Sequence, residues 1–290
     1  MNPRAKKAPF PWFGGKSTVA EAVWQRLGRP KQYIEPFCGS AAILLAAPQP
    51  ASLEVIGDAN CYVANFWRAL KFRPADVTLW QDYPVSHIDL YARHRWLTEP
   101  SRVATLRESL MDPEWPGDSQ IAGWWLWGQC CWIGSGWCDP ARGQRGEGHA
   151  VDDTCGQIPH AGNAGRGTQS TSLGKIPHAS DATGQIPFVS SQGMGAQGMV
   201  AEWMRTLASR LERVRVIHGD WSRCLNHHYG ASETAVFLDP PYLAFEKLYS
   251  DASSEPIAAQ VAAWAREHAH LRVALCGHRG DYDMPGWSVL

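Results

Sequence analysis

Short apolar runs, each followed by a turn signal, constrain the fold of this chain more than any other feature. They are interleaved with longer segments of helical periodicity, notably 201–213 and 255–269. Strands of a parallel sheet have this pattern because both faces of the sheet are covered. The predicted strands lie at 32–37, 53–58, 214–218, 235–239 and 271–276. The sequence therefore predicts an α/β fold with an open, mostly parallel sheet.

The middle of the chain differs in composition from both flanks. Five of the 15 Trp lie in 124–137, and fourteen of the 27 Gly lie in 134–198. Helical spacing of Trp124, Trp127 and Cys131 predicts that these side chains form a core there. We therefore expect residues 1–98 and 200–290 to form one domain. Residues 99–199 would be an inserted, mainly helical region with a Gly-rich arm.

Charge and cysteine usage exclude several classes of protein. The net charge of -1 argues against a dedicated nucleic-acid binder, but residues 1–31 hold seven Lys or Arg and one acid. That basic segment predicts phosphate contacts. The eight Cys include no C-x-x-C pair, which argues against a zinc site and favours the reducing cytoplasm. No apolar run approaches the roughly 20 residues of a membrane span, and the N-terminus lacks a secretory signal.

Two neighbouring strands are expected to end in ligand-binding residues. Residues 35–42, Glu-Pro-Phe-Cys-Gly-Ser-Ala-Ala, end one strand and open a helix, where backbone N–H groups can approach a nucleotide-like ligand. Asp58 ends the next strand, about where an acid binds ribose hydroxyls in dinucleotide folds. Small residues at such a turn also serve tight packing alone, and that alternative stays open.

A second candidate site is Asp239-Pro240-Pro241-Tyr242, directly after an apolar strand. The two prolines end the strand and hold the backbone extended at the edge of the sheet. An acid, a carbonyl without a strand partner and an aromatic ring together suit a planar group that carries an –NH2. The alternative is a Pro-Pro turn with a capping Asp.

These residues resemble the motifs of Dam-type SAM-dependent DNA adenine amino-methyltransferases, in the alpha arrangement. All five motifs occur in the order of that family: 11–16 (its W-x-G-G-K motif), 33–42 (its SAM loop), 58–60 (its D-x-N acid), 219–221 (its third acidic motif) and 239–242 (its D-P-P-Y motif). The resemblance implies a Rossmann-like SAM methyltransferase sheet. It also places a target-recognition region between the SAM loop and D-P-P-Y.

The resemblance also implies roles for individual residues and for partners. Methyl transfer to an adenine flipped out of duplex DNA would use Asp239, Pro240, Pro241 and Tyr242. S-adenosyl-L-methionine (SAM) would bind Trp12, Lys16, Glu35, Pro36, Phe37, Gly39, Asp58, Asp220, Trp221 and Asp239. No metal is expected. Lys16 would reach the SAM carboxylate, although a lysine that only extends along the surface is the simpler alternative. A monomer in the cytoplasm of a bacterium, or encoded by a phage, is the default expectation.

Two departures from the family pattern keep other functions open. Ala41 replaces the second glycine of the loop, and the sequence ends at Leu290, within what the pattern suggests is a sixth strand. A truncated or catalytically impaired DNA-binding remnant is one alternative. A methyltransferase that acts on an RNA adenine or a protein amide is the other.

Overall fold

The computed structural model describes residues 7–12, 14–132, 137–138, 194–225, 233–241, 256–278 and 280–289. The chain divides into two compact units. We call residues 14–60 and 210–290 the sheet unit, and residues 1–13 and 61–209 the helical unit. The helical unit takes in residues 61–98, which the sequence analysis grouped with the sheet. The predicted domain limits stay predictions, as does a role in target recognition.

The secondary-structure elements alternate as the sequence predicts. The strands are β1 (Gln32–Glu35), β2 (Leu53–Asp58), β3 (Val214–His218), β4 (Thr234–Leu238) and β5 (Arg272–Leu275). The helices are α1 (Ala20–Leu27), α2 (Ala42–Ala46), α3 (Cys61–Phe72), α4 (Pro74–Gln81), α5 (His87–Leu97), α6 (Pro100–Ser109), α7 (Ser119–Cys131), α8 (Met194–Leu211) and α9 (Ile257–Glu267).

The sheet unit contains one five-stranded sheet in the order β3-β2-β1-β4-β5. Every strand pair in it is parallel. Side chains alternate across β1, so Ile34 joins a buried cluster with Val236 and Val261. On the opposite face the Tyr33 ring lies 4.8 Å from Trp24 of α1. The predicted α/β fold with a Rossmann-like parallel sheet is confirmed.

In the helical unit α7 is the central element, and it packs against α3, α4 and α5. The side chain of Asp118 caps α7 by accepting from the Ile121 backbone N–H. Trp127 and Cys131 are buried, as predicted. The prediction was wrong for Trp124, which is only half-buried, because the neighbouring Trp125 fills the interior. A helix with partners on several sides buries more than one stripe.

Glycines allow the close packing around α7. A methyl group at Gly123 would meet the Trp80 side chain at 2.4 Å, and one at Gly128 would meet the Trp137 ring at 1.8 Å. At Gly123 the missing side chain lets the backbone of α4 approach, since the Val77 carbonyl oxygen would lie 2.9 Å from such a methyl group, and at Gly128 it lets the Trp137 ring approach. The Gly and Trp excesses of the sequence are therefore linked at Gly128, which makes room for the Trp137 ring.

Several predictions concern the remaining segments. Most of the Gly-rich arm, Tyr242 and Leu290 lie outside the described residues. In 276–278 and 280–289 no strand forms, so the suggested sixth strand is wrong for those residues. No helix in the described part of the chain is long and apolar enough to cross a membrane. The seven described cysteines are free thiols.

Candidate cofactor and catalytic site

The order in which the chain adds strands to the sheet reverses between β1 and β4, and the candidate site lies at this point. From β1 the chain adds β2 and β3 on one side, then returns to add β4 and β5 on the other. In open parallel sheets ligands bind in the crevice at such a switch point, beyond the carboxyl ends of the strands. The loop after β1 and the Asp239 segment after β4 both begin at this edge.

Asp58, at the end of β2, holds the loop that follows β1. Its Oδ2 accepts from the Gly39 backbone N–H at 2.9 Å, and its Oδ1 accepts from the Asn60 N–H at 2.8 Å. Burial raises the pKa of Asp58 to about 6, against the lowering effect of these two donors. Each carboxylate oxygen keeps a second lone pair, so Asp58 has acceptor capacity left for a ligand hydroxyl.

The loop itself has a left-handed backbone at two positions. Gly39 has φ 43°, and Ala41 has φ 49° with ψ 34°. The loop is fixed by a bond from the Ala41 N–H to the Cys38 carbonyl (2.5 Å). Ala41 thus adopts the conformation that a glycine would take, at a cost of about 1–2 kcal/mol for its β-carbon. The departure from the family pattern is accommodated by the backbone.

Glu35 lies below this loop, only 2% exposed. Its Oε2 accepts from the Tyr33 hydroxyl at 2.9 Å and from the Leu44 backbone N–H of α2 at 3.1 Å. Burial raises the pKa of Glu35 to about 8, and the negative charge of Asp239 adds to the shift. Glu35 therefore joins β1 to the start of α2 and fixes the loop between them. Pro36, which follows it, is also buried.

Loops after β1 and β3 meet through aromatic rings. The half-buried Phe37 stacks on Trp221, with ring centroids 6.3 Å apart and planes at 22°. Trp264 of α9 supports Trp221 edge-on at 6.2 Å. The exposed Asp220 accepts from the Ser222 N–H at 2.9 Å, which starts a short 3-10 helix. The structure thus brings Phe37, Asp220 and Trp221 to the same edge.

Asp239, the first residue after β4, forms an ion pair with Lys16. Lys16 Nζ lies 2.7 Å from Asp239 Oδ2 and 2.7 Å from the Gly14 carbonyl oxygen. The two side chains are 16% and 19% exposed. Pro240 is buried and Pro241 is half-buried. The sequence placed both Lys16 and Asp239 in the site, but it did not indicate that they contact each other.

Sequence reasoning missed Cys276. This residue follows β5 as Asp239 follows β4, and its backbone N–H donates to the Leu238 carbonyl at 2.8 Å, so it lies next to Asp239 at the edge of the sheet. Burial raises the pKa of the Cys276 thiol to about 12. Its position directly after a parallel strand, one step along the sheet from Asp239, is the signal that could have found it.

Trp12 belongs to the helical unit, where it is half-buried. Its ring lies 5.9 Å from Phe10, edge-on, and 6.4 Å from Trp125. Its predicted role near a cofactor stays a prediction. In the described part of the chain no group of His, Cys, Asp or Glu could hold a metal ion.

Comparison with known proteins supports the reading of these motifs. Residues 12–95 match the family model of the D12 class N6 adenine-specific DNA methyltransferases. The match confirms the predicted resemblance and the predicted class of enzyme, a SAM-dependent adenine methyltransferase. It contains Trp12, Lys16, the loop after β1 and Asp58, and it ends before β3. A search of curated proteins found no match.

Proposed function

We propose that this chain transfers the methyl group of SAM to the exocyclic amino nitrogen of adenine in duplex DNA, after the base has been flipped out of the helix. The proposal is carried by the position of Asp239. Its carboxylate lies at the carboxyl edge of the sheet, beside the switch-point loop, with Lys16 Nζ at 2.7 Å. An acceptor placed there suits an amino group that must be held against a methyl donor.

The residues at the sheet edge fit the chemical groups of SAM. Asp58 has acceptor capacity for the ribose hydroxyls, and the Phe37–Trp221 stack offers an apolar face for the adenine ring. Asp220 would accept from the adenine amino group, and Lys16 would attract the carboxylate. Glu35, Pro36 and Gly39 would shape the loop, and Trp12 would pack near it. When bound, SAM supplies the electrophilic methyl group.

At the adenine, this chain would supply acceptors and a stacking surface. Asp239 accepts one N–H of the amino group and the Pro240 carbonyl accepts the other, so the nitrogen lone pair is free to point at the methyl carbon. Holding the nitrogen there accounts for the larger share of the catalysis. Tyr242 would stack on the base. Lys16 contacts Asp239 through Oδ2, and each carboxylate oxygen has two lone pairs, so this ion pair does not by itself prevent Asp239 from accepting from adenine.

Duplex DNA is the proposed substrate because flipping an adenine costs only a few kcal/mol, which stacking on an aromatic ring can offset. The basic segment 1–31 would contact phosphates. The region 99–199 would recognise the target sequence. The enzyme would act in the cytoplasm, as a monomer and without a metal ion.

The decisive experiment is expression in a host without DNA methylation, followed by sequencing for modified adenine. We expect the wild type to mark a short sequence, and Asp239→Ala to lose the marks. Glu233→Ala is the matched control, because Glu233 is an acid at the other end of β4 that pairs with Lys31 on the surface.

Each outcome separates the candidates. Unmodified DNA with the wild type, together with no SAM binding by calorimetry, would support the impaired remnant. Modified DNA with both the wild type and Asp239→Ala would refute the role of Asp239. Methylated RNA or protein without methylated DNA would move the activity to the other substrates.

A further inference from the structure

The turn after β3 carries Asp220, and hydrogen bonds hold its backbone in place. Gly219 has φ 117°, which glycine adopts readily, and its N–H donates to the Asp58 carbonyl at 3.1 Å. The Arg223 N–H donates to the Asp220 carbonyl at 3.1 Å, and Arg223 Nη1 donates to the His218 carbonyl at 2.8 Å. The main chain that presents Asp220 is therefore tied both to the end of β2 and to the end of β3.

Ser222 contacts the Asp220 carboxylate twice, and both contacts are to the same oxygen. Its backbone N–H donates to Oδ1 at 2.9 Å, and its hydroxyl donates to Oδ1 at 2.5 Å. Two donors on one oxygen oppose rotation of the carboxylate about its side-chain bonds. Because Ser222 occupies Oδ1, a donor from a ligand is expected at Oδ2.

The residue after Asp220 supplies an aromatic face. The Trp221 ring stacks with Phe37 at 6.3 Å and is supported edge-on by Trp264. A planar ligand ring on this face would have an acid one residue away along the chain. Since a carboxylate only accepts hydrogen bonds, the edge of the ring that meets it must carry an N–H or O–H donor.

We propose that Ser222 is a positioning residue for the adenine of SAM, and that its two bonds to Asp220 orient Oδ2 toward the 6-amino group. This inference rests on the proposed function, which gives Asp220 its contact with that amino group. Ser222 acts through Asp220 and does not touch the cofactor. A carboxylate held in one orientation distinguishes a purine that has a donor at position 6 from one that lacks it, and a rotating carboxylate does so less well.

The test compares two ligands on the full-length protein by calorimetry. One is S-adenosylhomocysteine, the demethylated form of SAM, and the other is its analogue with hydrogen in place of the 6-amino group. We expect the wild type to bind the amino compound about tenfold more tightly. Asp220→Ala should lower this ratio to about one. Ser222→Ala should lower it to about threefold, because the backbone N–H still donates, and Ser222→Thr, which keeps a hydroxyl, should restore it.

The ratio separates a positioning role from a packing role. A local packing defect would weaken both ligands equally and leave the ratio unchanged. Ser52→Ala is the matched control, because Ser52 is also an exposed serine but lies just before β2, at the opposite edge of the sheet. It should keep the wild-type ratio. At saturating SAM, kcat of Ser222→Ala should stay within about twofold of the wild type, since Ser222 acts on cofactor binding.

The outcomes distinguish this inference from the proposed function. A wild type that binds neither compound refutes both. A preference that Ser222→Ala lowers, in a protein that leaves DNA unmodified, supports the role of Ser222 and refutes methyl transfer to DNA. An active wild type with an unchanged ratio in Ser222→Ala refutes the role of Ser222 alone. Equal binding of the two compounds by the wild type, or a ratio that Ser222→Thr does not restore, also refutes it.

Discussion

A half-buried arginine in the sheet unit and a buried one in the helical unit show how differently the two units hold a positive charge. In the sheet unit, Arg210 donates to both carboxylate oxygens of Glu54, at 2.5 and 2.8 Å, and to the Leu44 carbonyl at 3.0 Å. In the helical unit, Arg93 of α5 is 8% exposed and faces aromatic rings instead. Its guanidinium carbon lies 3.9 Å from the centre of the Tyr83 ring and 4.3 Å from that of Trp127.

The difference concerns what remains when the arginine is removed. An ion pair leaves its partner behind as an unpaired buried charge, whereas aromatic rings leave only an apolar surface. Arg93 Nη1 has no hydrogen-bond partner in the described residues, and burial lowers the pKa of this side chain. The sheet unit thus pairs its arginine with a carboxylate, whereas the helical unit surrounds the Arg93 guanidinium with aromatic rings, Trp127 among them.

The largest expected effect is at the ion pair. Arg210→Met should lower the free energy of unfolding of the sheet unit by about 3–5 kcal/mol, because Glu54, whose side chain is 1% exposed, would be left without its cation. Denaturant unfolding gives the free energy, and hydrogen exchange in peptides from β1 and β2 assigns it to this unit. The double variant Arg210→Met/Glu54→Leu should recover most of the loss. A double variant as unstable as the single one would show that the charge is not the cause.

Glu35 extends the comparison to a second buried acid of the sheet unit. A cation neutralises Glu54, whereas a bound proton neutralises Glu35. Its pKa is about 8 in the folded protein and about 4.5 in the unfolded chain, so between these values only the folded state binds the proton. Glu35 should therefore lower the stability by up to about 1.4 kcal/mol for each pH unit as the pH rises through this range. Glu35→Gln should remove that slope in unfolding measured at pH 5, 6, 7 and 8. Identical slopes in both proteins would contradict the raised pKa.

Substitution of the other arginine is expected to have a smaller effect. Arg93→Met should change the free energy of unfolding of the helical unit by at most about 1–2 kcal/mol, since the apolar methionine side chain can still pack against the rings that Arg93 contacts. Hydrogen exchange in peptides from α5 and α7 is the measurement. A loss as large as that of Arg210→Met would break the comparison, because it would mean that the charge of the nearby Asp89, and not the aromatic rings, determines the cost.

The smallest effect should come from an exposed pair. Lys31 and Glu233 form an ion pair with side chains 67% and 38% exposed. Solvent and salt screen such a pair, so Glu233→Ala should cost less than about 1 kcal/mol, and the cost should fall further in high salt. Unfolding at low and high ionic strength tests this. A cost near that of Arg210→Met would mean that burial is not what separates the two pairs.

Much of the sheet unit could be predicted because its signals are local. The strands are continuous apolar runs, and Asp58 and Asp239 lie at or just after a strand end in the sequence itself. The contact between Lys16 and Asp239 could not be predicted, because the residues are 223 positions apart and meet only through the strand order. Cys276 could not be predicted for the same reason, because it lies next to Asp239 only when β5 pairs with β4.

The helical unit was harder to predict because several helices compete for the same surface. Periodicity singled out Trp124, but α7 contacts three helices, and the interior position belongs to Trp125. Ala41 shows another limit of sequence reasoning. Ala41 replaces the second glycine of the family pattern, and the sequence alone did not indicate that an alanine would adopt the left-handed conformation found here.

The position of β1 has a consequence for the order in which the protein is made. β1 is fully buried between β2 and β4, and about 200 residues of chain separate it from β4. At 5–20 residues per second, a ribosome needs roughly 10–40 s to synthesise that length. During this interval the β4 side of β1 has no neighbouring strand, so its backbone N–H and C=O groups can form hydrogen bonds with another strand. Asp239 therefore reaches the loop after β1 only once β4 has been synthesised, and β5 is added beside β4 later still.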